Sequence, residues 1–85
     1  MSVEGRMRGA RLVLQQLMSG PLSWGELERR MLPACGTHWK FAAVMRWLTD
    51  EGYIVKDGPL GSRAPYRFNP ERVRYEDGEV IIKIG

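Results

Sequence analysis

One stretch constrains this chain more than any other: Gly36 to Ile54, which reads G-T-H-W-K-F-A-A-V-M-R-W-L-T-D-E-G-Y-I. At about 100° per residue, Phe41, Val44, Met45 and Leu48 fall within one arc, so a helix here has an apolar back that must meet a core. Trp39, Ala42, Ala43 and Arg46 fall opposite, with His38 and Lys40 at the edges. That outer face carries two cations and no acid before Asp50, and its two alanines let the backbone come close to whatever docks against it. Thr37 can cap the start of the helix. Gly52 supplies a stop, after which Tyr53-Ile54-Val55 begins a strand.

The segments before it are helical as well. From about Gly5 to Ser19, Met7, Ala10, Val13, Leu14, Leu17 and Met18 share an arc, while Arg8, Gln15 and Gln16 lie away from it. Leu12 breaks the pattern by pointing to the polar side, either as a lone exposed Leu or as part of a subunit contact. Ser19-Gly20-Pro21 ends this helix. In Leu22-Ser23-Trp24-Gly25-Glu26-Leu27, Ser23 and Glu26 have the spacing of a capping box, and Leu22 and Leu27 that of a hydrophobic staple. The helix they open is expected over Trp24–Leu32, burying Trp24, Leu27 and Met31 and leaving Glu28, Arg29 and Arg30 outside. Pro33 disfavours helical geometry at Leu32, so Pro33-Ala34-Cys35-Gly36 reads as a four-residue turn. Two short helices across such a turn, the second with an apolar back and a cationic front, describe a helix-turn-helix.

After Gly52 the apolar period changes from 3.6 to 2. Gly52–Lys56 reads as a strand, Asp57–Ala64 as a loop rich in turn formers, and Pro65–Asn69 as a returning strand with Tyr66 and Phe68 on one face and Arg67 on the other. Farther on, Asp77-Gly78 is a tight-turn signal between Val73–Glu76 and Glu79–Ile84. Val80, Ile82 and Ile84 alternate, so one face of this hairpin is buried against the domain, is buried against a partner, or extends the preceding sheet.

Size and charge narrow the classes of function. Eighty-five residues, 44% apolar and 27% charged, make one ordinary globular domain. No apolar run approaches the roughly 18 residues of a membrane span, and the first residues lack the apolar stretch of a secretory signal. The single cysteine, Cys35, has no internal partner, which fits a reducing, cytoplasmic setting. Net charge is +3, but residues 1–70 hold ten Lys/Arg against six Asp/Glu and residues 71–85 three against four. The excess lies on Arg6, Arg8 and Arg11, on Lys40 and Arg46, and on Lys56, Arg63 and Arg67. It marks either an anionic partner, nucleic acid being the commonest, or a solvated face.

Little points to an enzyme. His38 is the only histidine, and Cys35 lies three residues before it. That pair supplies two metal ligands where structural zinc needs four and catalytic zinc three, and a Cys35 nucleophile would lack a third orienting group. A redox role for Cys35 in the turn is chemically possible, with simple packing as the alternative. There is no phosphate cradle of the GxxxxGK[ST] or GxGxxG type. No catalytic residue, metal, cofactor or small-molecule substrate is therefore expected.

The ordered set of a first helix, the P-L-S-W-G-E-L-E-R-R helix, a turn, the T-H-W-K-F-A-A-V-M-R-W-L-T-D-E-G-Y-I helix and a basic hairpin resembles the winged-helix domains of MarR-, ArsR- and PadR-like transcription regulators. The resemblance covers roughly residues 6–69, and L-T-D-E-G-Y-I is its most specific piece. It implies an α+β winged helix-turn-helix: three helices and a two-stranded wing over residues 1–70, with an extra C-terminal β-hairpin over 71–85. It further implies a transcription regulator that binds double-stranded DNA, as a homodimer, with the recognition helix (37–51) in the major groove and the wing (56–67) on the backbone. Carried over by position, the groove-facing set is Thr37, His38, Trp39, Lys40, Ala42, Ala43 and Arg46. Arg46 is placed to read a guanine edge, while Lys40, Lys56, Arg63 and Arg67 meet phosphates. Trp39 and Trp47 depart from the family's small or polar residues. A Trp here stacks on a sugar or thymine methyl, anchors a protein partner, or folds back as core. The alternative function is accordingly a winged helix used as a protein-interaction module of a transcription or other nucleic-acid-processing assembly.

Overall fold

A computed structural model describes residues 3–59 and 62–82. Helices α1 (Val3–Leu17), α2 (Trp24–Cys35) and α3 (His38–Asp50) come first, followed by strands β1 (Ile54–Lys56), β2 (Tyr66–Phe68), β3 (Val73–Glu76) and β4 (Glu79–Ile82). The strands form two separate antiparallel two-stranded sheets, β1–β2 and β3–β4. The architecture is a small α+β fold with its helices first and its sheets last. Among the described residues no helix is long and apolar enough to cross a membrane.

In α1, Ala10, Val13, Leu14 and Leu17 are buried, as their spacing requires. The helix ends two residues before the expected Ser19, because the Met18 N–H reaches back three residues to the Gln15 carbonyl (3.2 Å) and tightens the last turn. Met18 therefore leaves the apolar arc and is 40% exposed. Leu12, expected on the polar side, packs half-buried against the core.

The start of α2 is set locally. The Glu26 N–H donates to Ser23 Oγ (3.3 Å), and the Ser23 hydroxyl donates to Glu26 Oε1 (3.1 Å), so the pair closes through the hydroxyl. Leu22 and Leu27 are both buried. Trp24, expected in the core, is half-buried, meeting Phe41 edge-on with ring centroids 5.0 Å apart. Pro33 does not end the helix: α2 runs on to Cys35 with Pro33 inside it. A proline this late removes only the rung to Arg29, and the Gly36 N–H still bonds the Leu32 carbonyl at 2.7 Å. The expected four-residue turn thus shrinks to Gly36 and Thr37, with Gly36 at φ +86°.

Thr37 caps α3, its Oγ1 accepting from the Lys40 N–H at 3.2 Å. At the far end Gly52, at φ +77°, lets the Tyr53 N–H fold back to the Leu48 carbonyl (2.9 Å). Phe41, Val44, Met45 and Leu48 are all buried. Strands β1 and β2 are shorter than their apolar runs and pair Ile54 with Phe68, Val55 with Arg67 and Lys56 with Tyr66. Leu22 adds an isolated bridge to Tyr66, exchanging both backbone bonds (3.1 and 2.7 Å), which ties the α1–α2 connection to the sheet.

The last hairpin turns on Asp77 (φ +50°) and Gly78 (φ +78°), the two left-handed residues a tight turn of this kind demands. It pairs Val73 with Ile82 and Tyr75 with Val80. This face packs inward: Val73 and Val80 are buried, and Tyr75 and Ile82 lie against the same core. The Tyr75 hydroxyl donates to the Leu14 carbonyl, and Arg11 Nη1 donates to the Val80 carbonyl at 2.9 Å. The hairpin therefore covers α1 of its own chain and does not extend the β1–β2 sheet. Ile84, the third residue of the expected alternation, lies outside the described residues.

Candidate functional site

The outward face of α3 is open along its length. Thr37, His38, Trp39, Lys40, Ala43 and Arg46 are exposed and Ala42 is half-buried, so the helix brings the expected groove-facing set together on one side. Trp39 is 80% exposed and touches the His38 ring edge-on at 5.7 Å. Trp47 lies half-buried against Tyr53, with ring centroids 5.5 Å apart, and belongs with the core.

The polar groups on this face are lightly held. Arg46 Nε is 4.0 Å from Asp50 Oδ2 one turn on, with the Arg46 side chain 86% exposed. A pair this wet is worth well under about 1 kcal/mol. His38 Nδ1 contacts the Glu28 carboxylate, tying the start of α3 to α2. The cations on β1–β2 are engaged within their own element. Arg67 Nε donates to Asp57 Oδ1 at 2.8 Å, and the Lys56 ammonium lies 5.5 Å from the centroid of the Tyr66 ring. Arg63, in the connecting loop, is exposed.

A feature that the sequence reading missed lies beside Trp39. A cleft of about 540 Å³ opens between α1 and α3, with Arg8, Gly9 and Leu12 on one wall, Trp39, Lys40, Ala43 and Val44 on the other, and Ala34 and Cys35 at its end. The helices meet closely there, since a Cβ on Gly9 would come within 2.9 Å of Val44 Cγ2. The signal in the sequence was Leu12, apolar and off the main arc, three residues from a glycine. Cys35 is half-buried at this end; burial pushes its thiol up, opposed by the Lys40 charge. That is the reverse of the activation a nucleophilic thiolate needs. Among the described residues no group of three or more His, Cys, Asp or Glu is gathered as a metal site.

Comparisons with protein-family models, with curated proteins and with solved structures each find no match to this chain.

Proposed function

We propose that this chain is a winged helix-turn-helix domain that binds double-stranded DNA as a transcription regulator, with α3 in the major groove and the β1–β2 hairpin on the phosphate backbone. The observation that carries the reading is the open face of α3. Among the described residues, Trp39, Lys40, Ala43 and Arg46 stay exposed along it, Lys40 and Arg46 supply its cations, and the helix itself carries no acid before Asp50, while the Glu28 carboxylate of α2 meets His38 at its start. The major groove of B-DNA is wide enough to admit such a helix, and Ala42 and Ala43 allow its backbone to approach the bases. Arg46 gives up only a weak, wet contact to Asp50 in order to pair with guanine. Arg63 and Arg67 supply the phosphate contacts, with Arg67 exchanging Asp57 for phosphate.

The test is fluorescence anisotropy of a labelled duplex against wild type and Arg46→Ala across a salt series. Binding should fall steeply with salt, by about 0.9 log unit per log unit of salt for each phosphate neutralised. Arg46→Ala should lose about 1–3 kcal/mol of discrimination at one base pair. An absence of duplex binding at low salt would sink the DNA reading. A second reading, a winged helix that binds a protein, is favoured by one observation: the 80% exposure of Trp39 beside an apolar cleft. Buried aromatic anchors dominate protein interfaces, and binding centred on Trp39 would barely respond to salt.

A further inference from the structure

We infer that the cleft between α1 and α3 docks an acidic segment of a partner protein, which seats one apolar side chain beneath Trp39 and lays carboxylates on Arg8 and Lys40. The inference rests on the second reading above, interaction with a protein, and does not depend on the DNA reading. Three features of the cleft identify the occupant.

The first is shape. The cleft spans about one turn of each helix, from Arg8 to Leu12 and from Trp39 to Val44, which at about 1.5 Å per residue is some 6–8 Å. That is room for one or two side chains, not for a folded element. The second is the chemistry of the floor. Leu12, Ala43, Val44 and the bare backbone of Gly9 offer no polar side chain, so what enters must be apolar, and a phosphate would find no donor at the bottom. Trp39 stands beside it, ready to lose its water when a ligand closes the gap.

The third is charge. Among the described residues, the two ionic side chains of the lining, Arg8 and Lys40, are both cations, and none of the lining side chains is a carboxylate. An apolar residue flanked by Asp or Glu complements this rim, whereas a basic segment is repelled by it. The chain's own apolar hairpin is not available as the occupant, because its inward face already packs on α1.

The probe is a twelve-residue synthetic peptide with two Phe residues one helical turn apart among six Glu, titrated into the ¹⁵N-labelled protein. Saturable binding is expected, with the largest amide shifts at Gly9, Leu12, Ala43 and Val44. Arg8→Glu and Leu12→Ala should each weaken binding about tenfold or more while circular dichroism stays native, and replacing both Phe by Ala in the peptide should abolish it. The inference is overturned if the Phe-free peptide binds equally, if nothing binds at millimolar concentration, or if duplex DNA perturbs the same cleft amides as strongly. It is also overturned if binding is lost in Trp39→Ala but untouched by Arg8→Glu and Leu12→Ala. In that case the interaction reading survives and only the cleft is wrong.

Discussion

Trp39 and Trp24 make a controlled pair at the scale of single residues. Trp39 is 80% exposed, with its ring edge on His38, so removing it takes almost nothing from the folded state. Trp39→Ala should move the unfolding free energy by no more than about 0.5 kcal/mol. Trp24 is wedged between Phe41 and Tyr66, and Trp24→Ala should cost about 3 kcal/mol. Urea titrations followed by circular dichroism check both, and a large loss for Trp39→Ala would mean that it is part of the core. A second residue couples stability to pH. Burial pushes the Tyr75 phenol from its ordinary value near 10 up to about 12. The unfolded chain gives up that proton near pH 10 while the folded chain keeps it, so stability is whole below pH 10 and drains away as pH rises through 12. Tyr66 is raised by burial as well. Tyr75→Phe should therefore shrink the alkaline loss without erasing it, as read from urea midpoints over that range.

At the scale of elements, the ends of α2 and α3 fix how the two helices meet. Gly36, at φ +86°, occupies the two-residue turn between them, and an L side chain there is strained. Gly36→Ala should destabilise by about 1 kcal/mol or more, and Thr37→Ala, which removes the cap on α3, by about 1 kcal/mol; thermal unfolding reads both. These local devices were legible in the sequence because each depends on residues within one turn: Ser23 with Glu26, Thr37 before Lys40, Gly52 after the last helical residue, and Asp77-Gly78 between alternating strands. Pro33 departs from this pattern, because its usual effect on the residue before it does not end the helix here. In the last turn of a helix it costs only one backbone bond, and Gly36 closes the helix beyond it. The open face of α3 could be read from angle alone. The cleft beside it could not, because it exists only where Gly9 of α1 reaches Val44 of α3, and no periodicity within one helix reports where two helices touch.

At the scale of the whole molecule, the C-terminal hairpin is tied to the first helix at several points. Val73 and Val80 are buried in the core shared with the helices, Tyr75 bonds the Leu14 carbonyl, and Arg11 bonds the Val80 carbonyl. Burial of two such side chains is worth about 1.5–3 kcal/mol each. A chain ending at residue 70 should therefore lose at least about 3 kcal/mol, seen as a drop in melting midpoint of more than about 10 °C. An unchanged midpoint would show that residues 1–70 hold together unaided. The alternation of Val80 and Ile82 foretold an apolar face on this hairpin. It could not say what would cover that face, since the choice between the chain itself and a partner is made by α1, some sixty residues earlier in the sequence. The bond from Arg11 to Val80 spans 69 positions, and that span has a meaning in time. On the ribosome α1 is made before the hairpin, and the part of it that α2 and α3 leave open stays uncovered until the strand that seals it has been made. Anything that grips apolar helices in nascent chains has that whole interval to find this one.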